Sequence, residues 1–107
     1  MKILNIKDMK GGWFVGNFDP SVLKTDKFEV GYHTHKKGDD THNHYHKESN
    51  EINVIIKGEM IVNKRLLKSG DIFVFEPYTV SEAEFIEDTE LIVVRDSSNT
   101  SDKYNAS

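Results

Sequence analysis

Between residues 28 and 95 the apolar residues come in short runs rich in Val, Ile, Phe and Tyr, each broken within a few positions by Gly, Asn, Asp or Pro. Such runs suit strands better than helices, and no helical periodicity passes through them. The pattern predicts strands over residues 13–16, 27–35, 42–46, 51–57, 60–62, 65–67, 72–76, 81–86 and 90–95. Gly58-Glu59 and Asn63-Lys64 are spaced for tight reversals, which gives a meander from Glu51 through Leu67, with Ser69-Gly70-Asp71 as the next reversal. Consecutive strands are then expected to be antiparallel neighbours. So many short strands must cover or close their edges, which narrows an all-β fold to a sandwich, a barrel or a jelly roll.

The 107 residues suit one domain, divided into N-terminal strands over 1–27, a β core over 28–95 and a polar tail over 96–107. The tail has only Tyr104 and Ala106 as apolar residues and reads as frayed. A hydrophobic content of 36% is enough for a small core. There is no cysteine, so disulfides and thiolate metal sites are excluded, leaving histidine and carboxylate as ligand chemistry. Fourteen basic and 18 acidic residues give a net charge of −4, with no basic cluster of the kind that tracks phosphates, so nucleic-acid binding is not expected. The N-terminal apolar run is too short for a secretion signal and no segment is long enough to span a membrane, which points to a soluble cytoplasmic protein without membrane contact.

All five histidines, His33, His35, His42, His44 and His46, lie within fourteen residues, and Glu51 follows five positions later. Residues two apart on a strand point to the same side, so His42, His44 and His46 share a face if the chain is extended through all three. Glu51, Asn53 and Ile55 share a face by the same rule. An antiparallel partner at about 4.8 Å would bring the Glu51 carboxylate near the histidine row, a donor set suited to a divalent transition metal. His33 and His35 fall with Glu29 and Gly31 on a polar face, either near the site or exposed, while Phe28, Val30 and Tyr32 form the apolar alternate.

The segment 38–58 reads G-x5-H-x-H-x4-E-x6-G on Gly38, His44, His46, Glu51 and Gly58. In residue types and spacing it resembles the first motif of the cupin superfamily. Gly70 through Pro77 resembles the start of the second motif, but the turn glycine is missing and the last metal histidine of the family falls on Ser81 or Glu82. Burying both Glu82 and Glu84 would be costly, so Ser81 is expected to face inward. The resemblance implies a jelly-roll β-barrel with antiparallel strands in two sheets, and an iron, manganese, nickel or zinc ion on His44, His46 and Glu51. His42, Ser81, Asn53, Tyr32, His33 and His35 are candidates for further ligands or pocket residues.

Three functions follow from that resemblance. The first is a metal-dependent enzyme acting on a small polar molecule, with isomerisation or epimerisation of a sugar or nucleotide sugar preferred and dioxygenation as the other reaction. The second is a non-catalytic binding or sensor protein with little or no metal. The third is a metal-free keto-sugar isomerase that moves protons with histidine and tyrosine. A homodimer is also implied, with the strand around Trp13 either joining a neighbouring subunit or capping the core.

Overall fold

The apolar alternation becomes strands wherever a partner can bury one face. The computed structural model describes residues 1–106 and contains one turn of 3-10 helix, Ile6–Asp8, before the strands begin. These are β1 (Trp13–Val15), β2 (Glu29–His35), β3 (His44–Tyr45), β4 (Glu51–Lys57), β5 (Glu59–Val62), β6 (Arg65–Lys68), β7 (Ile72–Phe75), β8 (Ala83–Phe85), β9 (Thr89–Arg95) and β10 (Tyr104–Asn105). One sheet has the order β1-β2-β9-β4-β7 and a second the order β6-β5-β8, all neighbours antiparallel. A two-stranded pair, β10-β3, is joined to the second sheet by a bridge between His44 and Ser81.

The two sheets face each other through one cluster. Ile55, Phe75, Leu91 and Val93 come from the first sheet, and Met60, Val62 and Phe85 from the second. Burying each such side chain contributes about 1.5–3 kcal/mol before the cost of ordering the chain. Trp13 packs against this cluster, as the core-capping alternative requires. Towards one end of the sandwich the inward positions turn polar: Glu29, Arg95 and Glu51 stand in register across β2, β9 and β4.

The expected meander is not formed. Only Gly58 separates β4 from β5, one residue fewer than the shortest common hairpin loop needs. Gly58 has φ +96, and a Cβ there would lie 2.4 Å from the Asp88 carbonyl oxygen, so the chain turns a tight corner into the opposite sheet. β4 then finds its neighbours in β7 and β9. Residues 69–71 likewise carry the chain from β6 into the first sheet. Asn63-Lys64 does close a hairpin, with Val62 opposite Arg65.

Both hairpin residues have left-handed backbones, φ 46 at Asn63 and 68 at Lys64. Asn63 accepts the N–H of Glu82 and donates to the Val80 carbonyl, which ties the turn to the segment entering β8. Lys64 is exposed, and a left-handed backbone costs such a residue about 1–2 kcal/mol. Lys64→Gly should therefore raise stability by about 0.5–1 kcal/mol in urea unfolding, after the extra unfolded-state entropy of glycine. An unchanged or lowered midpoint would show that the turn is not strained.

Candidate metal centre

Three of the predicted ligands meet. One donor atom each from His44, His46 and Glu51 lies within 4.8 Å of the other two. The imidazoles stand 5.4 Å apart, centroid to centroid, at 76°. Nδ1 of His44 is 3.0 Å from the carbonyl oxygen of His42, and Nδ1 of His46 bonds the carbonyl of Asp102. A carbonyl can only accept, so each Nδ1 carries a proton and Nε2 is the nitrogen left for a ligand bond. Nε2 of His46 faces Oε1 of Glu51 at 3.2 Å. That contact is closed either by a proton on Nε2 or by a cation between the two atoms. Nδ2 of Asn53 donates to the other Glu51 oxygen at 3.2 Å and fixes the carboxylate plane.

The protonation of these groups suits a cation. Burial holds His44 below the ordinary imidazole range, so it is a neutral ligand at neutral pH. Burial alone would raise Glu51, but the hydrogen bonds from His46 and Asn53 outweigh it and keep the group an anion. Two imidazoles and one carboxylate, with backbone carbonyls orienting the rings, make a donor set that fits zinc, iron or manganese.

The chain after β9 builds the wall behind His46. It was expected to fray, yet Asp102 is only 1% exposed. Its carboxylate accepts the N–H groups of Lys47 at 2.7 Å and Glu48 at 3.0 Å and pairs with Nη2 of Arg95 at 3.2 Å. Arg95 also donates to Ser49 Oγ and to Glu29, and Ser98 closes the network on the other Glu29 oxygen. Burial would raise the Asp102 carboxyl, but the Lys47 and Glu48 amides and then Arg95 hold it below the usual carboxylate range. Apolar counting missed this segment, because what anchors it is a charge and its hydrogen bonds.

The other predicted residues divide. Ser81 faces inward, 7% exposed, its N–H bonded to the His44 carbonyl, while Glu82 is exposed. Three residues earlier, Tyr78 holds the left-handed φ of 68 that the missing turn glycine would adopt. Asn53 is buried beside Glu51. His33 and His35 line the same cavity without joining the three-residue cluster. His33 stands edge-on to Trp13 at 4.6 Å, and His35 stacks on Phe85 at 4.3 Å. Burial is the main reason that His33 titrates at about 4.

Two candidates lie elsewhere. The side chain of His42 is 82% exposed: its backbone has φ 55 and its N–H bonds the Asp40 carboxylate, which breaks the extended run before it can join His44. Tyr32 points to the outer face of the first sheet, where its hydroxyl donates to Glu90. Among the described residues no tyrosine lines the cavity.

The cavity has a volume of about 320 Å³ and opens beside the cluster. Its floor is apolar, with Phe73, Phe75, Phe85, Leu91 and Met60. Among the described residues no helix is long and apolar enough to cross a membrane.

No protein-family model and no curated protein matches the chain. Solved structures do. A conserved protein with a double-stranded β-helix domain from Klebsiella pneumoniae is similar over 98% of this chain and 91% of that one, with 22% identity and a TM-score of 0.73. KdgF from a Halomonas species aligns over 72% of this chain and 74% of its own, at 23% identity and a TM-score of 0.67. An oxalate oxidase bound to glycolate aligns over 68% of this chain and 43% of its own, at 21% identity and a TM-score of 0.61. At these identities the likeness establishes the fold, the double-stranded β-helix of the cupins.

The network behind His46 is open to test. Asp102→Ala removes one partner of a buried ion pair and should cost about 3 kcal/mol or more in chemical unfolding. A chain ending at Asp96 should lose at least as much. A frayed tail would cost nothing in either experiment.

Proposed function

We propose that this cupin fold holds a divalent transition metal on His44, His46 and Glu51 and acts on a small polar molecule bound in the adjoining cavity. The observation that carries this reading is the convergence of His44, His46 and Glu51, one donor atom from each within 4.8 Å of the other two, with Nδ1 of His46 spent on the Asp102 carbonyl. Ser81 stands where the family places a fourth strong ligand, so the protein offers three and leaves positions open for water or substrate. A bound ion there would polarise a carbonyl or hydroxyl oxygen of the substrate. Asn53 holds the Glu51 carboxylate in place, and the apolar floor excludes water from the ligand's far side.

Isomerisation or epimerisation of a sugar is the reaction class we favour: a bound ion would polarise the adjacent oxygens, and an imidazole lining the cavity, His33 or His35, would take the proton from carbon and return it. A cavity of about 320 Å³ is at the small end for ligand sites and suits a single sugar better than a nucleotide sugar. The metal-free reading loses support, because its tyrosine has no counterpart among the cavity's lining residues.

We also propose that the chain pairs with a second copy through the outer face of the first sheet. Val74, Ile52, Val94 and Val30 form one cross-strand row, and Ile72, Val54 and Ile92 the next. Ile72 is 67% exposed and Val74 50%. These rows carry no charge on a chain of net −4, so a like copy can meet them face to face without opposing its own acids.

Metal analysis tests the site. Protein purified without an affinity tag should hold close to one equivalent of a transition metal, and His44→Ala or Glu51→Ala should weaken zinc binding by more than about a hundredfold. Because His44 titrates below the ordinary imidazole value of about 6.5, zinc affinity should stay level from pH 8 to about 6.5 and fall only below it. Metal-free protein, or an affinity indifferent to both substitutions, would overturn the reading. For the pairing, Ile52→Glu should convert a dimer to a monomer in light scattering. A wild-type monomer at high concentration would refute it.

A further inference from the structure

The segment that anchors His46 also brings a cation to the cavity. β10 lies antiparallel on β3, with Tyr104 opposite Tyr45 and Asn105 opposite His44. The rings of Tyr45 and Tyr104 stack at 5.4 Å, so these two side chains share a face. Side chains alternate along a strand, which puts Lys103 on the other face, the one that carries the imidazoles of His44 and His46. Lys103 accordingly lines the cavity. Its charge reaches across to His33, where it adds to the effect of burial and of the neighbouring His35.

The remaining charges around the cavity answer one another. Arg95 spends its donors on Glu29, Ser49 and Asp102, and Glu51 on His46 and Asn53. Among the described residues Lys103 has no ionic partner. A lone ammonium at the mouth of a largely apolar cavity on an otherwise acidic chain is a local attractor for an anion. One ammonium, with the guanidinium of Arg95 already engaged, matches a monoanion better than a phosphate dianion.

We infer that the ligand of this site is a small carboxylate, such as a hydroxy acid or a sugar acid, and that Lys103 is the residue that selects it. The inference rests on the proposed metal site, which would receive the ligand's other oxygens. Lys103 holds the carboxylate at the mouth, and the apolar floor accommodates the carbon body.

Mandelate and mandelamide differ only in the acid group and serve as probes. Calorimetric titration of the zinc-loaded protein should show mandelate bound at least about tenfold more tightly than mandelamide. K103A should erase about tenfold of that preference, K103R should retain most of it, and K103E should reverse it. Equal binding of the two probes in the wild type, or an unchanged preference in zinc-loaded K103A, overturns the inference. Zinc content measured on the same samples separates the two readings. Wild-type protein that takes up no zinc yet keeps the full preference would refute the metal site and spare Lys103, whereas zinc-loaded K103A with the full preference would refute Lys103 and spare the metal site.

Discussion

The ion pair between Arg95 and Asp102, buried with Glu29 against Ser49, is the constraint on which the site depends. Removing charges from water costs several kcal/mol per ion, and the cost is met only where every lone pair and proton finds a partner. Here the partners come from four places in the chain: β2, the loop before β4, the end of β9 and the C-terminal segment. Satisfying Asp102 requires the amides of Lys47 and Glu48, so the chain just after His46 has one geometry. That geometry aims the Asp102 carbonyl at Nδ1 of His46 and turns Nε2 toward Glu51. A charge network with no metal-binding atoms thus orients the imidazole.

The double-stranded β-helix supplies what remains. Its facing sheets bury aliphatic and aromatic side chains over most of their length and leave one end for polar groups. The inward positions of β2, β9 and β4 progress from His33, Leu91 and Ile55 to Glu29, Arg95 and Glu51 along the same three strands. The apolar end provides the stability that lets the polar end keep buried charge and a convergent set of ligand atoms. The outer face of the same sheet is aliphatic across its middle rows and ends in Tyr32 and Glu90, so its strands are largely apolar on one side and mixed on the other.

Much of this was legible in the residues. Strand positions followed from short β-branched runs, and Asn63-Lys64 from its spacing. The spacing of His44, His46 and Glu51 identified the cluster, and the cost of burying carboxylates chose Ser81 over Glu82. Four features escaped for definite reasons. Gly58-Glu59 reads as a two-residue hairpin turn, but Glu59 belongs to β5 and the one residue left cannot close a hairpin. His42 matches the alternation of its neighbours, but a hydrogen bond to Asp40 takes its backbone out of the strand. The segment after Asp96 is polar but for Tyr104 and Ala106, and only the folded chain shows that Asp102 has a buried guanidinium waiting for it. Tyr32 fell on the apolar set in the alternation, and that set turned out to face outward.

The central claim is that His44, His46 and Glu51 close on one cation. X-ray absorption at the zinc edge of the zinc-loaded protein examines that directly. The account predicts two imidazole nitrogens at about 2.0–2.1 Å, with the multiple scattering of histidine rings, and a shell completed by oxygen. A spectrum with oxygen neighbours alone, unchanged when His46 is replaced, would contradict it.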